Sequence, residues 1–156
     1  LREKANLRLA RAKLLARSGD AEAAIRELQS LTSQQPDHLE ATLTLVALYS
    51  AANRWQSVEQ LIPALTEQPA LADLALYLEG RTAYARGRIG RARAKFEAAL
   101  ETQPDRANRL SPSLYFYRSQ CLDALNRPAE ARADLQKAFD ADFRPESTNS
   151  GKVVKF

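Results

Sequence analysis

Apolar residues recur at helical spacing along almost the whole chain, as in Ile25, Leu28 and Leu31, or Leu61, Ile62 and Leu65. No stretch keeps the two-residue alternation of a strand for long. Between the apolar runs stand Gly19, Asn53, Gly87 and Asn126. Gly and Asn best tolerate the left-handed backbone that ends a helix at a tight turn. Gly19 to Asn53 and Asn53 to Gly87 are equal steps, and the step on to Asn126 is longer by five. Five residues past each turn come Ala24, Val58, Ala92 and Ala131, and four further on Leu28, Ile62, Phe96 and Leu135. Seven residues before each turn are Ala12, Val46, Gly80 and Ser119, small enough for two helix backbones to approach. The pattern predicts eight helices in four antiparallel pairs, at about 5–17 and 21–34, 40–52 and 55–67, 72–86 and 89–102, 112–125 and 128–141.

The breakers agree with these boundaries. "QQPDH" and "TQPDR" end the second helices of the first and third pairs, with Pro36 and Pro104 as stops and the following Asp able to cap the next helix. "EQPALA" does the same one residue early in the second pair. Ser111 is expected as a cap with Pro112 in the first turn behind it, and Pro128 opens the last helix.

Two stretches of the sequence repeat: "GDAEAAIRELQSLTSQQPDH" from Gly19 and "GRIGRARAKFEAALETQPDR" from Gly87, two such steps apart. A helix–turn–helix period of roughly 34 residues, carried best by Gly80, Gly87, Ala92, Phe96, Ala99 and Pro104, resembles the tetratricopeptide repeat family. Units two and four are poorer copies, with Phe143 where the fourth unit would end in Pro. The resemblance implies an all-α fold, a right-handed superhelix or α-solenoid of about four antiparallel helix pairs. The repeats would run about 5–38, 39–72, 73–106 and 112–145 within a domain spanning 1–143, leaving 144–156 as an extended or disordered tail.

The resemblance also implies a non-enzymatic scaffold that binds a peptide segment or a partner protein on its concave side. In that family the exposed inner residues fall at repeat positions 2, 5, 9, 12 and 13, which here selects Lys13, Arg17, Ser50, Tyr77, Arg81, Tyr84, Phe116 and Gln120 as the candidate partner-binding set. Tyr77, Arg81 and Tyr84 share one helix face, and Tyr, Phe and Arg are enriched in interface cores or hot spots. Tyr77 and Phe116 are expected in the groove, while Tyr115 and Tyr117 are expected in the core or wall. The carboxylate clamp of co-chaperones in this family is missing: Leu9, Lys13 and Thr44 stand where it wants a cation and two Asn. An apolar segment carrying an acidic residue suits the set better.

Composition narrows the remaining classes. The 156 residues include a single His and a single Cys, and the net charge is +4. His38 lies in a turn and Cys121 on an inner helix, so neither a metal set nor a nucleophile–base pair is spelled out, and no cofactor is expected. His38 is expected as a solvated turn residue and Cys121 as a small buried hydrophobe. Arg81, Arg86, Arg88, Arg91, Arg93 and Lys95 form a cationic stretch, which makes nucleic-acid binding a minor alternative. Self-association through the repeat ends is a second alternative, with Val153, Val154 and Phe156 of the tail as one route. No run of about 18 apolar residues exists, so no membrane span is expected. The chain begins at Leu1 and contains no Met, which predicts a fragment of a larger protein, and its Ala- and Arg-rich wording suits a bacterial source. Bacterial cytoplasm and periplasm both fit, with attachment to a membrane component through other parts of the parent. Bacterial members of the resembled family serve envelope assembly, secretion or polysaccharide export.

Overall fold

Helices form where the apolar period predicts them. The computed structural model describes residues 1–102 and 110–141. Among them the α-helices are α1 (Arg2–Arg17), α2 (Ala21–Gln34), α3 (Leu39–Ala51), α4 (Trp55–Thr66), α5 (Ala72–Ala85), α6 (Ile89–Glu101), α7 (Ser111–Ala124) and α8 (Pro128–Asp140), with a 3₁₀ turn at Pro69–Leu71 before α5. Most boundaries fall within one residue of expectation. The exception is α1, which starts three residues early because Arg2, Glu3 and Lys4 are good helix formers with no breaker among them. Pro104, Phe143 and the expected tail 144–156 lie outside the described residues.

The four turn residues share one geometry. Gly19, Asn53, Gly87 and Asn126 all have positive φ, at 92°, 55°, 71° and 60°. In each case the amide just after the turn residue donates back across the last helical turn: Asp20 to Leu15, Arg54 to Tyr49, Arg88 to Ala83 and Arg127 to Leu122, at 2.8–2.9 Å. The turn residue's own amide donates to the carbonyl three residues back, from 2.9 Å at Gly87 to 3.3 Å at Gly19. This is the Schellman cap, which satisfies carbonyls that the helix end would leave orphaned. One local rule thus sets four helix reversals.

Two capping expectations change. Asp37 does not cap α3; His38 does, its Nδ1 accepting from the Ala41 amide at 3.3 Å. His38 is therefore a half-buried cap rather than a solvated turn residue. The capping Asp is Asp20, whose carboxylate accepts from the Ala23 amide at 3.1 Å at the head of α2. Ser111 lies inside α7, which Leu110 precedes as N-cap, because Pro112 in the first turn lets the helix begin one residue sooner.

The described residues fall into two compact units, Leu1–Arg54 and Trp55 onward. In the first, α1 packs on α2, and α2 and α1 pack on α3. Leu28, Val46, Ala24 and Ala12 are fully buried there, and Gln29 donates to the Tyr49 hydroxyl at 2.7 Å. In the second, α5 lies against α4 and α6, and α7 against α6 and α8. Phe96 is its largest fully buried side chain. A Cβ added to Gly80 would meet the Phe96 ring, 2.7 Å from Cδ1 and 2.9 Å from Cζ, so only glycine lets α5 and α6 close over that ring. Arg118 grips Asp134 with two hydrogen bonds of 2.6 and 2.8 Å, tying α7 to α8. The Asp134 side chain is only 4% exposed, and its hydrogen bond holds the Arg118 guanidinium above its ordinary pKa.

Candidate functional site

Position in the repeat puts Tyr77, Arg81 and Tyr84 on successive turns of α5, and the fold lays α7 beside it with Phe116 and Tyr117. The guanidinium of Arg81 lies 3.9 Å from the ring centre of Tyr117 and 4.5 Å from that of Trp55, which opens α4. The Tyr77 ring is 5.8 Å away, and Arg81 Nη1 donates to the Tyr77 hydroxyl at 2.8 Å. These are cation–π distances. Tyr117 is the hub of the rings: Phe116 meets it edge-on at 5.2 Å, Phe96 stacks on it at 5.9 Å, and Tyr84 meets it edge-on at 6.5 Å. Arg81, Tyr84, Phe116, Tyr117 and Trp55 are all half-exposed, so the cluster is open to solvent on one side.

Tyr77 departs from expectation. It is 4% exposed, in tilted contact with Phe96 and Tyr117 at 6.3 and 6.2 Å. Its ring belongs to the core, and its hydroxyl holds Arg81 in place instead of facing a groove. Tyr117, expected in the core or wall, stands at the centre of the cluster. Trp55 joins the site from outside the predicted set. The available signal is the aromatic run Tyr115–Phe116–Tyr117 together with the chain's single Trp, but the spacing rule for inner-helix residues passes over both Trp55 and Tyr117. Gln120 lies half-exposed one turn beyond Phe116 on α7.

Lys13, Arg17 and Ser50 belong to the first unit. Lys13 donates to Glu40 at 2.5 Å, and this hydrogen bond, with the ammonium charge, holds the Glu40 carboxyl below its ordinary pKa. Lys13 is thus already partnered. Arg17 is exposed at the end of α1, and Ser50 Oγ is buried with no hydrogen-bond partner among the described residues.

Half of the cationic stretch is paired with acids. Arg86 pairs with Glu59 at 2.5 Å, Arg93 with Glu97 at 3.6 Å, and Lys95 with Glu79. With Arg81 stacked on rings, Arg88 and Arg91 remain, beside a cavity of about 240 Å³ that Glu59 and Glu79 also line. That mixed lining is a poor track for a phosphate backbone. Cys121 is fully buried, and burial pushes its thiol up to about 11. Among the described residues no three His, Cys, Asp or Glu side chains are placed to hold a metal ion, and no helix is long and apolar enough to cross a membrane.

The repeated caps and the repeated core positions are matched by comparison with known families. Two family models, both described as tetratricopeptide repeat, match residues 15–82 and 77–145. The chain belongs to the tetratricopeptide repeat family. No curated protein matches the sequence. Among solved structures, this tetratricopeptide chain is similar to MamA from Desulfovibrio magneticus RS-1, residues 41 to the end, with 13% identity and a TM-score of 0.72, covering 88% of this chain and 75% of that one. A second MamA crystal structure gives 15% identity and a TM-score of 0.74 over 91% of this chain and 75% of that one. MamA MSR-1 gives 16% and 0.70 over 88% and 76%. At these identities the likeness establishes the fold alone, an all-α tetratricopeptide solenoid. Membership of the repeat family makes the chain a protein–protein interaction scaffold.

Proposed function

We infer that the α5–α7 face grips an extended segment of a partner protein. Arg81 takes an acidic side chain of that segment, and Trp55, Tyr84, Phe116 and Tyr117 pack its apolar neighbours. One observation carries this reading: Arg81 is held by two rings and a tyrosine hydroxyl, yet no carboxylate partner stands against it among the described residues. A guanidinium has five N–H donors in a planar fork, and stacking on its faces leaves the edge available for a bidentate carboxylate. Every other cation of the stretch except Arg88 and Arg91 is paired with an acid. Gln120 supplies a neutral donor and acceptor beside the rings. In the first unit Arg17 is the exposed cation of the expected set, Lys13 is held by Glu40, and the Ser50 hydroxyl is buried away from any ligand.

The reading is one of binding without catalysis: His38 caps a helix and Cys121 is sealed in the core. Envelope assembly, secretion or polysaccharide export in a bacterium is the proposed setting. The test is selection of a random peptide library on the whole chain, followed by anisotropy titrations. Enriched peptides should carry Asp or Glu next to an aromatic or aliphatic residue and lose at least tenfold in affinity on Arg81→Ala. Enrichment without acidic residues, or equal binding by Arg81→Ala, would overturn it.

A further inference from the structure

In three of the four helix reversals the residue after the left-handed one is an arginine: Arg54, Arg88 and Arg127. Arg54 pairs with Glu22, which stands three residues past the preceding turn residue, Gly19. Arg127 pairs with Glu130, four residues past its own turn residue, Asn126, through two hydrogen bonds of 2.7 and 2.6 Å. The same two positions around Arg88 hold Gln56 and Arg91. Arg88 thus lacks both acids that hold its counterparts, and a second guanidinium stands where one of them would be. Arg88 and Arg91 are exposed, and neither has an ion-pair partner among the described residues, although Arg86, Arg93 and Lys95 around them do. Like charges about one helical turn apart repel, so the two arginines are unfavourable neighbours until an anion meets them.

Both arginines line the cavity of about 240 Å³ where α4, α5 and α6 meet. Its α5 wall is Glu79, Thr82, Ala83 and Arg86, on the face of that helix opposite Tyr77, Arg81 and Tyr84. Its two acids are engaged, Glu59 by Arg86 and Glu79 by Lys95. Ile62 and Pro63 give it an apolar side, and Pro63 is exposed. We propose that this cleft is a second docking site, which takes an acidic segment of a partner protein. Two neighbouring carboxylates of the segment meet Arg88 and Arg91, and an apolar side chain between or beside them rests over Pro63. The repeats themselves point to this occupant, because a carboxylate is what Arg54 and Arg127 hold. Two available cations with acids close by are too few to follow a phosphate backbone, which binds through a row of them. The cleft and the Arg81 rings lie on opposite faces of α5, so one chain can hold two segments at once.

The experiment is selection of a random peptide library on the whole chain carrying Arg81→Ala, which takes the ring cluster out of play, followed by anisotropy titrations. Enriched peptides should carry two acidic residues close together, and salt should weaken their binding. Adding Arg88→Gln with Arg91→Gln should lower their affinity about tenfold or more. Arg91→Glu makes the same change in net charge and supplies the acid that holds Arg127 one repeat later. By clamping Arg88 it should lower the affinity as far. Lys4→Gln with Arg11→Gln makes that charge change on α1 and should have little effect. All these side chains are exposed, so helicity and melting should hold. Selection that enriches no acidic peptide would overturn the proposal. So would binding that survives Arg91→Glu, or equal losses from the α1 and α6 pairs, which would reduce the effect to net charge. The Arg81 site is scored on the chain that keeps Arg81, so either site can fail without the other.

Discussion

The first and second units place different residues at the same repeat positions. Ala12 and Leu28 become Gly80 and Phe96; Leu9, Lys13 and Ala16 become Tyr77, Arg81 and Tyr84. In the core the exchange conserves volume: a larger ring on the second helix is matched by the loss of a methyl on the first. At the surface it changes the chemistry. Lys13 meets a carboxylate from α3 and is neutralised, whereas Arg81 meets rings and keeps its charge available. The same scaffold position is closed by an ion pair in one unit and left poised by stacking in the other. The state of a cation at one repeat position therefore rests on what neighbouring helices present to it, and not on the position alone.

The largest contrast between the units lies in their ion pairs. Asp134→Ala should cost about 3–5 kcal/mol, because it leaves Arg118 partly buried without its partner. Glu40→Ala in the first unit removes an exposed pair and should cost about 0–1 kcal/mol in the same urea titration. Next comes the volume exchange. Gly80→Ala should cost about 1–3 kcal/mol by overpacking against Phe96. Adding Phe96→Leu recreates the first unit's pair and should recover part of that loss, a coupling that a double-mutant cycle reads directly. If the two substitutions simply add, the compensation argument is wrong.

Smaller still is the turn. Asn53→Ala should cost about 1–2 kcal/mol for a left-handed non-glycine backbone, while Asn53→Gly should leave the melting temperature nearly unchanged. The smallest effect is electrostatic and is read by NMR. The Glu40 carboxyl should titrate below the ordinary glutamate value and return toward it in Lys13→Ala. Because the folded value is depressed, this pair's contribution is present above the ordinary carboxylate range and is lost as pH falls through the folded value. Cys121 should resist thiol reagents in the native state near neutral pH and react once the chain is unfolded, since its thiol titrates only near 11.

Local chemistry made the fold legible. A left-handed turn admits few residue types, and helix period plus proline placement did the rest, so Gly19, Asn53, Gly87 and Asn126 mark the reversals in the sequence itself. Where two residues compete for one local role, the sequence is less decisive: Asp37 is the better capping type, yet His38 occupies the cap, because the chain turns one residue later. The site is legible only in outline. Spacing along α5 places Arg81 and Tyr84 on successive turns of one helix face. It does not tell that Tyr77 turns inward under Phe96, or that Tyr117 and Trp55 reach Arg81 from other helices. Those facts depend on side-chain packing between helices, which a period along one helix does not encode.

The central claim is that stacking poises Arg81 for a carboxylate. The most direct measurement is the affinity of a selected acidic peptide for the wild type, for Arg81→Lys and for Tyr117→Leu. Lysine keeps the charge but loses the planar fork and the stack, and leucine keeps an apolar contact but removes the central ring. The account predicts that both variants lose about tenfold or more while their melting temperatures stay within a few degrees of the wild type. Wild-type affinity in Arg81→Lys would show that charge alone suffices and would contradict it.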